Sequence, residues 1–258
     1  MLFDEAVFIG LDPTAGHRPI SYAALDGELR LAALDEAPLE DVLAFAAGQA
    51  SAVVAVAAPQ GPPQGLMSRP DVRARYDLPP AGATWSTWRV CEFQLRRRGI
   101  RMANTPSMME LAPGWVQRGY KLHSRLWGLA YRPFTGEDEG DRRLLIEVHP
   151  PSGFAALLDR QPLPKQTLEG RLQRQLILHL KGLDIPNPMR ALEEITRHRI
   201  LSGQLPPEDV LEAGSLDALL GAYTAYLVAA KPGQTCQVGE REEGLITLPV
   251  AELAESYR

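Results

Sequence analysis

Three acidic residues stand where acids are energetically expensive. Asp12 closes the run Ala6-Val-Phe-Ile-Gly-Leu-Asp12, Glu147 lies in Leu144-Leu-Ile-Glu147-Val-His149-Pro150, and Asp217 lies in Gly214-Ser-Leu-Asp217-Ala-Leu. An ionised carboxylate among apolar residues needs a counter-charge or a metal. Carboxylates clustered at strand ends suit a hard divalent cation, Mg²⁺ or Mn²⁺. Such a centre activates water for hydrolysis of a phosphodiester. Asp12, Glu147 and Asp217 are therefore expected to hold one metal and to be catalytic, with nucleic acid as substrate.

Each acid also has a simpler explanation. Asp12 precedes Pro13, and Asp-Pro commonly ends a strand in a turn. Glu147 could be balanced by Arg143 or Lys165 in an ordinary salt bridge. Asp217 falls in the first turn of a predicted helix, where the helix dipole stabilises an acid by about 0.3–1 kcal/mol. Ala218, Ala222, Ala225 and Ala229 recur at helical spacing after it. A face that small packs closely on a sheet and would carry Asp217 toward the strand ends. Glu92 shares a helical stripe with Arg89 and Arg96, which an ion-pair ladder explains.

These residues must be positioned by a mixed sheet with helices around it. Residues 6–12, 19–25, 29–34, 52–57, 143–149 and 245–248 read as strands, with Asp26-Gly27 as a hairpin turn. Helices are expected at about 38–48, 85–98, 113–130, 152–159, 166–182, 188–201 and 215–230. Residues 59–84 read as loop, and Glu137–Asp141 as an acidic loop tip. Alternation of this kind gives an α/β fold in a single domain over 1–258, with a helical insertion over about 59–142.

Composition narrows the function classes. The chain has 258 residues and a formal charge of −5, so it lacks the footprint of a strong non-specific DNA binder. No stretch of about 18 uninterrupted apolar residues suggests a membrane span, and Met1-Leu-Phe-Asp-Glu5 is acidic where a secretory signal is basic. Cys91 and Cys236 are far apart, which favours a reducing, cytoplasmic setting. The five histidines show no zinc spacing, and phosphate-cradling glycine loops and a Gly-x-Ser-x-Gly elbow are absent. Arg69, Arg73, Arg75, Arg96–Arg98 and Arg101 could line a groove for a nucleic-acid backbone. Trp85 and Trp88 could stack on bases, although core packing beside Cys91 and Leu95 suits Trp88 better.

An ordered set of short segments spans most of the chain: Gly10-Leu-Asp12, Ala58-Pro59-Gln-Gly61, Arg89-Val-Cys-Glu92, Asn104-Thr105-Pro106, Ile146-Glu147-Val-His-Pro150, Lys165-Gln-Thr167-Leu-Glu-Gly170-Arg171, Ser215-Leu-Asp217 and Gly244-Leu-Ile-Thr-Leu-Pro249. In this order they resemble family 429 of the domains of unknown function, regarded as nucleases of ribonuclease-H-like fold. The Asp217 segment is also similar to the last acidic helix of Holliday-junction resolvases. The resemblance implies a ribonuclease-H-like sheet with its insertion between the fourth and fifth strands. It implies substrate contacts at Lys165, Thr167 and Arg171, with Arg89 and Glu92 as further candidates. Where relatives carry Asp-Ala-Pro after the fourth strand, this chain reads Ala57-Ala58-Pro59. One ligand fewer points to a one-metal site, or to a non-catalytic relative that binds nucleic acid, protein or a metabolite. Phosphoryl transfer from ATP is a third possibility within the same superfold.

Overall fold

The computed structural model describes residues 6–14, 18–136, 142–204 and 209–258. The acidic segment 137–141 and His17 lie outside the described residues. Among the described residues eight strands form one mixed sheet: β1 (Val7–Asp12), β2 (Ile20–Leu25), β3 (Leu31–Ala37), β4 (Ala52–Val56), β5 (Arg132–Pro133), β6 (Arg143–Glu147), β7 (Cys236–Glu240) and β8 (Gly244–Leu248). The order is β3-β2-β1-β4-β6-β8-β7, with the short β5 also pairing with β6. β1, β4, β6 and β8 run parallel, while β2, β3 and β7 are antiparallel to their neighbours. The parallel strands β1 and β4 are apolar and β4 is buried throughout, as strands covered on both faces must be.

The helices are α1 (Leu39–Ala47), α2 (Pro70–Ala74), α3 (Val90–Arg97), α4 (Gly114–Gly128), α5 (Pro150–Leu158), α6 (Leu168–Leu180), α7 (Met189–Glu194), α8 (Arg197–Leu201) and α9 (Ala213–Ala230). Against the expected helix over 85–98, α3 starts only at Val90. Trp85 adopts φ 71°, a left-handed conformation that a helix excludes, and Arg89 serves as the cap. The expected helix over 188–201 is split between α7 and α8. β5, β7 and α2 are additions to the elements read from sequence.

One face of the sheet packs on α9, and the other packs on α1 and α4. Among the described residues α9 is the single helix long and apolar enough to cross a membrane, and most of it is buried inside the core. It approaches β1 so closely that Gly10 has no room for a methyl group. A Cβ there would sit 1.9 Å from the Ala218 carbonyl oxygen and 2.4 Å from the Ala222 nitrogen. Both obstacles are backbone, so no rotamer change relieves them. Gly10→Ala is expected to cost about 3 kcal/mol, the upper end of ordinary overpacking. Urea unfolding measures it; a cost below about 1 kcal/mol would mean that α9 is not seated on β1.

Candidate active site

Strand register decides which acids meet. Leu11 pairs with Val56, and Val56 pairs with Glu147. Adjacent parallel partners point to the same face, and successive residues alternate. Leu11 and Val56 belong to the core beneath α1 and α4, so Glu147 faces that side. Asp12 and Val148, each one residue further on, face α9 instead, and Val148 joins the α9 core. Glu147 and Asp12 thus lie at the same end of the sheet on opposite faces.

Asp12 and Asp217 do come together. The first turns of α9 lie against the end of β1, where a Cβ on Gly214 would be 3.8 Å from Asp12 Oδ2. Burial, with Asp217 close by, raises the Asp12 carboxyl to about 7 against the opposing pull of Lys165. Burial likewise raises Asp217, while Lys165 and Arg174 draw it back. Lys165 Nζ donates to Asp217 Oδ2 at 2.7 Å, with 43% of the lysine side chain exposed and 3% of the aspartate's. Burial disfavours the ammonium, yet Asp217 and Asp12 hold Lys165 above its ordinary range. The centre is a pair of desolvated acids bridged to solvent by one lysine. His149 stands nearby, held neutral down to about 4 by burial and then by Lys165. Its Nδ1 accepts from the Ser152 backbone N–H and lies 2.6 Å from the Ser152 hydroxyl, capping α5.

Glu147 has a different partner. Arg89 donates to both of its oxygens, at 2.7 and 2.8 Å, and the Gln60 N–H adds a third bond at 3.0 Å. The two side chains are 0% and 3% exposed. Neither Arg143 nor Lys165 plays this role; Arg143 donates to the carbonyls of Leu129, Ala47 and Gln49. Among the described residues no three His, Cys, Asp or Glu side chains converge as a metal-binding group. The expected three-acid centre is therefore corrected to a two-acid one. Two carboxylates do fit a single Mg²⁺, which keeps most of its water and is commonly held by one or two acids plus phosphate. They do not fit a two-ion site, which needs more ligands than remain.

The other expected contacts are largely structural. Thr167 caps α6, accepting from the Gly170 N–H at 3.1 Å. Arg171 pairs with Glu212 at 2.6 Å. Glu92 closes a capping box with Arg89 and also accepts from the Thr105 backbone and hydroxyl, so the ladder to Arg96 is not formed. Arg89, fully buried, meets no incoming phosphate. Of the seven arginines expected near a nucleic-acid backbone, Arg73 is buried on backbone carbonyls, Arg69 and Arg75 pair with Asp71 and Glu240, and Arg97 donates to the Tyr76 carbonyl. Trp85 and Trp88 pack edge-to-face at 4.9 Å, and both rest on the small apolar cluster around Phe93.

Glu243 is the residue that sequence reading missed. It sits in the charged run Glu240-Arg-Glu-Glu243, whose composition signals a solvated turn, yet it is 3% exposed. Its carboxylate accepts the backbone N–H groups of Gln64, Leu66 and Val90, and its carbonyl takes Arg89 Nε. This one side chain ties the loop after β4 to the start of α3.

Sheet, helices and acid pair together define a mixed α/β protein with a buried carboxylate centre at the carboxyl ends of its parallel strands. The chain belongs to the family described as Protein of unknown function (DUF429), whose profile matches residues 10–243. No curated protein and no solved structure gives a significant match.

Proposed function

We propose that this is a ribonuclease-H-like protein, with a helical insertion between β4 and β6, that hydrolyses a nucleic-acid phosphodiester at Asp12 and Asp217 with one divalent cation. The strand order supports that fold: an antiparallel β3-β2-β1 unit continues through β4 and β6 in parallel. The observation that carries the activity is the pairing of two desolvated acids at one strand end. A proton held by Asp12 to about 7 marks a site short of positive charge.

A cation bound there would supply an activated water and neutralise charge developing on phosphate. Asp12, in its ionised form, and Asp217 would be the residues that hold the cation. Lys165, paired with Asp217 and already partly exposed, would be placed to donate to a phosphate oxygen. The test is cleavage of labelled DNA and RNA oligonucleotides in Mg²⁺ and Mn²⁺. Cleavage by the parent is expected to disappear in Asp12→Asn with unfolding cooperativity retained; equal cleavage by the variant would remove Asp12 from the mechanism.

A second reading rests on Ala57 and Glu147. Ala57 brings no carboxylate to the face of Asp12, and Arg89 occupies both oxygens of Glu147. With only two acids, the protein would bind nucleic acid and release it unchanged. Retention of oligonucleotide without product in either metal would favour this reading.

A further inference from the structure

At the same end of the sheet as the acid pair, the residues that follow β4 and β6 line a cavity of about 200 Å³, which His149 also borders. Its wall includes Ala57, which follows Val56, the β4 partner of Leu11, and whose N–H donates to the Leu11 carbonyl. The cavity is bounded mostly by apolar groups, among them Met102, Pro106 and Trp115, the last 39% exposed. It is smaller than the roughly 300–1,000 Å³ that holds a drug-sized molecule, and so suits a single ring system.

The charged part of the wall is two acids and one guanidinium. Glu92, Glu147 and Arg89 all line the cavity, and Arg89 directs its side-chain donors to Glu147 and to the Glu243 carbonyl. A carboxylate offers about four acceptor positions. Glu147 spends one on Oε1 and two on Oε2, all within its contacts to Arg89 and Gln60. Glu92 spends two on Oε1, toward Thr105, and one on Oε2, toward the Arg89 N–H. Among the described residues one acceptor position is left on each. Tyr120, buried one turn beyond Val116 on α4, carries a hydroxyl that meets no hydrogen-bond partner among the described residues and feels the charges of Arg89, Glu92 and Glu147.

We infer that this cavity receives one unpaired nucleobase bearing an exocyclic amino group, the base next to the phosphate presented to Asp12 and Asp217. An apolar slot with an aromatic rim accepts the ring faces. Free acceptors on two carboxylates take amino hydrogens, as acidic side chains do with cytosine. Uracil offers one N–H between two carbonyl oxygens, which carboxylates repel. The substrate class is taken from the proposed function, but the cavity's ligand is decided by binding alone.

Calorimetric titration of the full chain with adenosine, cytidine and uridine tests it. Adenosine or cytidine is expected to bind at least tenfold more tightly than uridine. Ala103→Trp, at an exposed position on the cavity rim, is expected to abolish that binding without changing the unfolding temperature. Asn104→Trp, also exposed, serves as a second plug should the first fail to fold. A tetra-adenosine strand is expected to displace adenosine. Equal affinity for uridine, no binding at millimolar concentration, undiminished binding in a folded plugged variant, or failure of the strand to compete would each overturn the inference. Metal-dependent cleavage without nucleoside binding would sink the pocket and spare the nuclease. Binding without any cleavage would do the reverse.

Discussion

Arg89→Leu is expected to destabilise the protein by about 3–5 kcal/mol, the usual cost of removing one partner from a buried ion pair. The loss comes mainly from what stays behind. Glu147 would keep one backbone N–H from Gln60 but no counter-charge, at 3% side-chain exposure. The Glu243 carbonyl would also lose its bond from Arg89 Nε. Glu147→Leu alone should cost a similar amount by stranding the guanidinium. Together the two substitutions should cost much less than their sum, because apolar pairs of similar volume replace buried ion pairs at little expense. Urea unfolding of the four proteins gives the coupling directly. Additive losses would show that Arg89 and Glu147 do not depend on each other, and the assignment of Glu147 to a structural pair would fail.

Why the sequence pointed to three acids and the structure brings together two is a matter of phase. Apolar runs around Asp12 and Glu147 correctly place both at the ends of buried strands. Which face each uses depends on register with β4, which no local pattern encodes, and a one-residue offset reverses the face. Asp217 was legible because its helix supplies a face of small residues, and α9 does lie on β1 through Gly10 and Gly221. Glu92 and Thr167 are polar residues at helix starts, where capping and substrate contact look alike in sequence. Here the bonds to Arg89, Thr105 and Gly170 distinguish them. β7 escaped notice because Cys236-Gln-Val-Gly-Glu240 is a half-exposed edge strand with a glycine inside it. Glu243 escaped because a buried anion satisfied by three backbone N–H groups leaves no hydrophobic pattern around itself.

Asp12→Asn is expected to stabilise the metal-free protein at pH 8 while removing the proposed activity. Burial, and then the charge of Asp217, push the Asp12 carboxyl up from its ordinary 3.8 to about 7 in the fold. The folded state therefore holds a proton that the unfolded chain has lost. Stability linked to this group is fully present below about pH 4 and declines as the pH rises through about 7. At about 1.4 kcal/mol for each pK unit, the decline is at most about 4 kcal/mol, and screening by solvent at the partly exposed site reduces it. An asparagine cannot ionise, so the variant should lack that slope between pH 4 and 7 and overtake the parent above it. Unfolding in urea with a chelator present, at pH 4.5, 6 and 8, measures the difference. Millimolar Mg²⁺ should then stabilise the parent at pH 8 by occupying the ionised pair, and leave the variant nearly unchanged. Parallel stability curves for the two proteins would mean that Asp12 is not strained by its burial beside Asp217. The same strain is what makes the pair receptive to a cation, so both would fall together.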